Sequence, residues 1–174
     1  MPLATVRVVD VYPYRLAAGG PEFLVLRRSP ERVYAGQWRV VGGAIEPGET
    51  AWEAAARELA EETGFAPGAG LRAFWALPSV NTFYEWRRDA VELVPAFAAE
   101  VAGGVRLDGE HDAWAWLAPD EAAARLAWPE PRRLLALAAH LVTTRTAAPE
   151  LGVPLDRLPG RGTAGGGTRD GTAG

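Results

Sequence analysis

The chain has 174 residues, 48% of them apolar and 23% charged, which is ordinary for one globular domain with its own core. It has no cysteine, which excludes disulfides, thiolate metal sites and cysteine nucleophiles. A net charge of −4 disfavours wholesale binding to a nucleic acid backbone, and no run approaches the ~18 apolar residues of a membrane span. All 18 basic residues are arginines, so a phosphate clamp must use arginine, backbone N–H groups or a metal. We expect a cytoplasmic protein that binds neither nucleic acid polymers nor membranes.

The first part of the chain predicts strands. Alternating and apolar stretches rich in Val and Tyr favour strands over residues 5–16, 22–28 and 38–41. The first two are expected to pair as a hairpin. Gly42 and Gly43 are predicted to break the third strand, with a loop following up to Glu49.

A helix is predicted over residues 51–63, which are rich in Ala, Glu, Leu and Arg. Thr50 and Glu53 have the spacing of a capping box, in which each residue satisfies a backbone N–H near the other. Gly64 is a natural end for this helix because glycine adopts the left-handed backbone conformation readily.

The remaining elements are strands and then helices. Four strands are predicted, over residues 71–78, 90–101, 105–107 and 113–117. One short helix opens at Pro119 and ends near Trp128, and another opens at Pro131. The order of elements predicts an α/β/α sandwich with a mixed sheet between helices. We expect this domain to span residues 1–158 and the Gly-rich segment 159–174 to be disordered.

Three carboxylates, Glu58, Glu61 and Glu62, are spaced i, i+3 and i+4 on the predicted helix. They share an arc of about 100°, and like charges at this spacing repel. Arg57 stands four residues before Glu61 and can hold that carboxylate in place. An acidic run of this kind is by itself typical of a solvated helix face. A site for a divalent metal is the functional alternative, because oxygen ligands suit magnesium or manganese.

The surrounding residues resemble the Nudix hydrolase family, whose pattern is G-x5-E-x7-R-E-U-x-E-E-x-G-U, with U a bulky apolar residue. Residues 43–65, called the box below, match it at every position. The matching residues are Gly43, Glu49, Arg57, Glu58, Leu59, Glu61, Glu62, Gly64 and Phe65. Residues 89–141 show a weaker resemblance to a subgroup that includes dihydroneopterin triphosphate pyrophosphatase.

The resemblance implies a magnesium-dependent pyrophosphohydrolase, with manganese as a possible substitute. It assigns metal ligation to the carbonyl of Gly42 and to the carboxylates of Glu58, Glu61, Glu62 and Glu110. It implies that Glu61 or Glu110 takes a proton from the attacking water and that Arg57 orients a carboxylate. The alternative for Glu110, which lies between Asp108 and Asp112, is a solvated acidic turn.

Substrate-binding residues are predicted outside the box. Arg28, beside Arg27, is the candidate for binding a phosphate or a base, and Trp38 and Phe83 are candidates for stacking on a base. Phe83 belongs to the stretch 81–88, which is rich in aromatic and polar residues and is expected to be a loop beside the site.

The implied substrate is a small nucleotide-like molecule with a diphosphate linkage, either a nucleoside or pterin triphosphate or a nucleoside-diphosphate-linked compound. The family also predicts a possible homodimer. Two alternatives stay open: a non-catalytic nucleotide-binding sensor of the same family and an interaction protein with an acidic helix. An isoprenoid diphosphate isomerase is disfavoured, because those enzymes use a cysteine that this chain lacks.

Overall fold

A computed structural model describes residues 1–159 of the chain. It contains a mixed sheet of eight strands: β1 (Leu3–Thr5), β2 (Val8–Ala17), β3 (Gly20–Arg28), β4 (Trp38–Arg39), β5 (Val41–Ala44), β6 (Leu71–Glu85), β7 (Ala90–Val101) and β8 (His111–Leu117). Three α-helices complete the fold: α1 (Ala51–Thr63), α2 (Pro119–Arg125) and α3 (Pro129–Thr144). The predicted α/β/α architecture is confirmed.

The sheet is built around β2 and β7, which run parallel to each other. β2 also pairs antiparallel with β3 and β5, and β3 pairs antiparallel with β4 and β8. On the far side, β7 pairs antiparallel with β6 and parallel with β1. Among the described strands β5 pairs only with β2. Its other edge is therefore available to the loop and helix that follow it.

Alternation along β2 sorts side chains to the two faces of the sheet. Val9 and Val11 pack in the apolar cluster that holds α1, and we call this side the α1 face. Tyr12 and Tyr14 pack in the second cluster, beneath α2 and α3, which we call the α3 face. Asp10 shares the α3 face with these tyrosines because side chains alternate at every residue of a strand.

Helix α1 has the bounds that the sequence predicts. The Thr50 side chain accepts a hydrogen bond from the Glu53 N–H, and Glu53 accepts one from the Thr50 N–H. Gly64 ends the helix with φ 83°, in the left-handed region. The small residues Ala54, Ala55 and Ala56 of α1 are fully or almost fully buried, so the helix backbone lies close to the sheet.

Several predicted elements need correction. Gly42 and Gly43 do not break the chain, because they pair with Asp10 and Val9 inside β5. β6 continues to Glu85, so most of the stretch predicted as a loop is strand. Residues 105–107 form no strand, since the Arg106 N–H donates instead to the Thr63 carbonyl at the end of α1 (2.9 Å).

The two C-terminal helices are also shifted from their predicted bounds. α2 ends at Arg125 rather than near Trp128, and α3 begins at Pro129, two residues earlier than predicted. Proline suits this position because the first helical N–H has no partner within the helix.

The segment after α3 returns to the α1 face, where Leu158 is buried and the Val153 N–H donates to the Phe74 carbonyl (2.8 Å). Apart from Pro159, the segment predicted to be disordered lies outside the described residues. Among residues 1–159, no helix is long and apolar enough to cross a membrane.

Candidate active site

Arg57 connects the loop before α1 to the acidic side of the helix. Its guanidinium donates twice to Glu49, through Nε at 2.7 Å and Nη2 at 3.0 Å. Nη2 also donates to the Ala44 carbonyl at 2.8 Å. Nη1 donates to Glu58 at 2.9 Å and to Glu61 at 3.2 Å. The Arg57 guanidinium thus balances the charge of three box carboxylates. Its charge-assisted hydrogen bonds also hold residues 44–49 against the helix.

Glu62 lies on the side of α1 that faces the sheet and is only 4% exposed. Its Oε2 atom is buried and has no hydrogen-bond partner. Burial raises the pKa of Glu62 well above its usual range, and the charges of Glu58 and Asp108 raise it further. Such a carboxylate is costly to bury without a compensating cation, which points to a role beyond folding.

Gly42 presents its backbone to Glu62. The Ile45 N–H donates to the Arg7 carbonyl, and hydrogen-bonded and non-bonded pairs alternate along an antiparallel ladder. The Gly42–Asp10 pair of β5 and β2 is therefore a non-bonded one, and both polar groups of Gly42 point away from β2. The Gly42 amide bonds to Glu62 and partly offsets the rise in its pKa.

Gly43 is required by the close approach of Glu58. A Cβ added at Gly43 would overlap the carboxylate of Glu58, closer than real Cβ contacts come. Glu58 is thereby seated against the backbone of β5. Its burial raises the pKa of its carboxyl, while the Arg57 cation acts in the opposite direction.

The turn before β8 brings Glu110 and Asp108 to the same region. Arg28, at the end of β3, donates from Nη1 to Glu110 Oε2 at 2.6 Å, and Arg32 lies 3.5 Å from the other oxygen. Asp108 accepts hydrogen bonds from the Glu110 N–H (3.0 Å) and contacts His111 Nδ1 (3.1 Å). The charges of Asp108 and Arg28 act on Glu62, and that of Glu110 acts on Glu58, which shows that this turn lies beside α1.

The donor set fits a hard divalent cation. Glu58, Glu61 and Glu62 offer only oxygen, the Glu62 Oε2 atom lacks a partner, and the Gly42 carbonyl points to the same side. Within residues 1–159 no three carboxylate or imidazole side chains converge on one point. Arg57 engages only Oε1 of Glu58 and Oε2 of Glu61, so the second oxygen of each carboxylate takes no part in these contacts.

A pocket opens on the α3 face directly behind Gly42. Its volume is only about 40 Å³, and its lining includes Asp10, Trp38, Arg39, Gly42, Trp128 and Pro131. Asp10 is surrounded by protein atoms and yet partly exposed, as expected for a side chain at the floor of a pocket. Burial raises the pKa of Asp10 to about 6, against the opposing effects of the Asn81 hydrogen bond and the Arg39 charge.

The predicted substrate residues lie in three different places. Arg28 is beside the acidic groups of the α1 face, and Trp38 lines the pocket, with the Arg125 guanidinium 4.9 Å from its ring centre. Phe83 does not line the pocket; it is 51% exposed on the hairpin of β6 and β7, where it pairs with Glu92.

Sequence reasoning missed Asp10, Asn81 and Asp108. Asn81 donates to the Asp10 carboxylate and to the Tyr12 hydroxyl (3.1 Å), which ties β6 to β2 beneath the pocket. A single acidic residue within the apolar run of β2 was the available indication for Asp10, since charged residues are rarely placed on an inward-facing strand position.

The family model of the NUDIX domain matches residues 4–138, which include the sheet, α1 and most of α3. The chain belongs to the Nudix family. The sequence-based identification is thus confirmed, and the family assignment covers both faces of the sheet.

Two curated relatives differ in how much of their length is matched. A Myxococcus xanthus protein named octanoyltransferase is 39% identical over 118 residues, which is 62% of this Nudix chain but only 30% of that protein. The nucleoside triphosphatase NudI of Escherichia coli is 27% identical over 105 residues, covering 57% of this chain and 74% of that one. The chain therefore spans less than a third of the first relative.

A solved structure with the same fold is that of the E. coli dihydroneopterin triphosphate pyrophosphohydrolase. It superposes with a TM-score of 0.63 at 22% sequence identity and covers 80% of this chain and 99% of that one. At this identity the similarity establishes the fold, and the subgroup suggested by residues 89–141 stays a prediction.

Proposed function

We propose that this Nudix protein is a magnesium-dependent pyrophosphohydrolase that cleaves a phosphoanhydride bond of a nucleoside triphosphate or a similar triphosphate. The observation that carries the proposal is the buried carboxylate of Glu62, whose Oε2 atom has no hydrogen-bond partner, within a complete box. A carboxylate in that state is suited to a cation and poorly suited to a purely structural role.

In this proposal Glu58, Glu61, Glu62, Glu110 and the Gly42 carbonyl hold Mg²⁺, for which Mn²⁺ can substitute. The metal would neutralise phosphate charge and lower the pKa of a bound water. Arg57 is a positioning residue, because its bonds to Glu49 and the Ala44 carbonyl fix the position of the helix carboxylates relative to β5.

The remaining steps fall to side chains on the rim. A carboxylate oxygen of Glu61 or Glu110 takes the proton of the attacking water. Arg28 is bound to Glu110 in this structure and can exchange that carboxylate for a substrate phosphate, since both present anionic oxygens to which a guanidinium donates charge-assisted hydrogen bonds. Transfer of Arg28 would free Glu110 for proton abstraction, so substrate binding and base activation are coupled.

Triphosphates are preferred as the substrate class for two reasons. The relative NudI is named a nucleoside triphosphatase, and the structural neighbour is named for a pterin triphosphate.

The test is hydrolysis of a panel of nucleoside triphosphates, dihydroneopterin triphosphate and nucleoside-diphosphate-linked compounds with magnesium, by wild type and Glu62→Gln. We expect release of pyrophosphate or phosphate from one class, and a loss of about a thousandfold in the variant, the scale of several kcal/mol of metal stabilisation. The variant should fold, because it removes a buried charge with a raised pKa.

Glu121→Gln is the matched control, since Glu121 is an exposed carboxylate on α2, away from the box. It should keep full activity. Thermal melts supply a second readout: magnesium should raise the melting temperature of wild type and Glu121→Gln but not that of Glu62→Gln. Turnover of no compound by wild type would refute the proposal and favour a nucleotide-binding sensor.

A further inference from the structure

His111, the first residue of β8, is a buried histidine whose side chain is only 2% exposed. Its Nδ1 atom lies 3.1 Å from Oδ1 of Asp108, in the segment before β8. An ionised carboxylate can only accept hydrogen bonds, so Nδ1 carries a hydrogen and donates it to Asp108. Neither residue has a role in the hydrolysis proposed above.

The same oxygen of Asp108 also accepts a hydrogen bond from the Glu110 N–H (3.0 Å). A carboxylate oxygen has two lone pairs, so these two donors use the acceptor capacity of Oδ1. The imidazole of His111 is enclosed by packing, whereas the Asp108 side chain is 24% exposed, so the ring is the fixed part of the arrangement. The path from imidazole to carboxylate to backbone N–H therefore holds the turn that carries Glu110.

The Glu110 side chain is 40% exposed, so packing alone does not fix its position. Its carboxylate accepts a hydrogen bond from Arg28 (2.6 Å), and its carbonyl accepts one from the Ser29 N–H (2.9 Å). In the proposed hydrolysis Arg28 moves to a substrate phosphate and releases this carboxylate. The position of Glu110 beside α1 then depends on the backbone of the turn, which His111 holds through Asp108.

We propose that His111 is a positioning residue for Glu110. Its Nδ1–H fixes Asp108, and Asp108 fixes the Glu110 N–H, so that the Glu110 carboxylate stays beside the box when Arg28 leaves it. The inference rests on the proposed function for the role of Glu110 in hydrolysis or metal binding. The hydrogen-bond arrangement itself is independent of that role.

The experiment compares His111→Asn with His111→Gln. The amide nitrogen of asparagine stands at nearly the position of Nδ1 and can donate to Asp108, whereas that of glutamine lies one bond further from the backbone. Both variants lose the same ring, so a purely structural role predicts similar losses in both. We expect His111→Gln to lower kcat by roughly ten- to hundredfold with little change in KM, and His111→Asn to keep most of the wild-type kcat. Equal losses of kcat in the two variants would overturn the inference.

A double-mutant cycle tests whether His111 acts through Glu110. In the Glu110→Gln background, His111→Asn and His111→Gln should give the same kcat, because the carboxylate that His111 positions has been removed. If His111→Gln lowered kcat by the same factor in both backgrounds, His111 would act independently of Glu110 and the inference would be wrong.

Two readouts do not depend on turnover. The chain has two histidines, and the ¹⁵N spectrum of the metal-free protein should show a hydrogen on Nδ1 of His111, with the exposed His140 as internal reference. A hydrogen on Nε2 alone would overturn the inference.

The second readout is Mn²⁺ affinity, which replaces kcat if wild type hydrolyses no compound. We then expect His111→Gln, but not His111→Asn, to weaken Mn²⁺ binding by roughly tenfold. That result would refute the proposed hydrolase and support the positioning of Glu110 by His111. Equal Mn²⁺ affinities of the two variants in that case would overturn both.

Discussion

The two faces of the sheet are specified by the sequence in different ways. On the α1 face, the box carboxylates and Arg57 come from one contiguous segment, residues 43–65. On the α3 face, the pocket takes Asp10 from β2, Trp38 from β4, Gly42 from β5 and Trp128 from the turn before α3. Local helix geometry brings the first set together, whereas only the pairing of distant strands brings together the second.

This contrast teaches that the box carboxylates and the pocket residues are brought together by different parts of the fold. A helix fixes the relative positions of Glu58 and Glu62 whatever the rest of the fold does. The floor of the pocket depends on the β2–β5 register, because a shift of one residue would turn Asp10 to the α1 face. Gly42 contacts both sets of residues, because it lines the pocket and its backbone bonds to Glu62.

The largest effect that would test this comparison is expected for Gly43→Ala. The added methyl group must displace the Glu58 carboxylate, which is the far end of a flexible side chain, so the fold should survive while the carboxylate moves. We expect turnover to fall by about a hundred- to a thousandfold, equivalent to about 3–4 kcal/mol. The measurements are kcat with the best triphosphate and the melting temperature.

Gly104→Ala is the matched control for this change. Gly104 has open space around its Cβ position, and neither glycine has a positive φ. The control should keep wild-type turnover. If Gly43→Ala were also fully active, the seating of Glu58 on β5 would be irrelevant to the chemistry of the α1 face.

The α1 face was predictable because its signals are local. The capping box, the helix over 51–63 and the contact of Arg57 with Glu61 all follow from spacings of three or four residues. The double pairing of Arg57 with Glu49 was less accessible, because it spans the loop before the helix.

The errors concern strands, whose partners are distant. Gly42 and Gly43 predict a break because glycine weakens strands, but a Cβ at these positions would overlap the Val9 carbonyl and the Glu58 carboxylate. The β6–β7 register shifts between Ala76 and Val80, which disrupts the alternation that would have extended β6 to Glu85. The sequence pattern therefore predicts a loop at Asn81 and gives no indication of its contact with Asp10.

A second prediction addresses the α3 face through its pH dependence. The pKa of Asp10 rises on folding from 3.8 to about 6, so the folded chain binds this proton more tightly than the unfolded chain. The associated stabilisation is complete below pH 3.8 and is lost as the pH rises through about 6. Relative to Asp10→Asn, the free energy of unfolding of wild type should therefore fall by about 1 to 3 kcal/mol between pH 4 and pH 7. Urea melts of both chains without divalent metal measure this difference.

The two chains share the titrations of Tyr12, Glu58 and Glu62, so the difference between them isolates Asp10. Asp112→Asn is the control with the opposite sign, because the Arg27 guanidinium lowers the pKa of Asp112. Parallel pH profiles for wild type and Asp10→Asn would mean that the carboxylate is solvated and that the pocket floor is not as enclosed as the structure shows.

The smallest effect is expected for Thr50→Ala, which separates stability from chemistry within the box. The change removes the side-chain acceptor of the Glu53 N–H at the start of α1 and should cost about 1 kcal/mol, or a few degrees in melting temperature. Turnover measured well below that temperature should stay within about twofold of wild type, because the bonds of Arg57 to Glu49 and Glu58 are untouched. Thr143→Ala, an exposed threonine on α3, controls for loss of a hydroxyl and should change stability by only a few tenths of a kcal/mol. A loss of turnover as large as that expected for Gly43→Ala would show that the helix cap and the box carboxylates act as one unit. The α1 face would then depend on its scaffold as strongly as the pocket does.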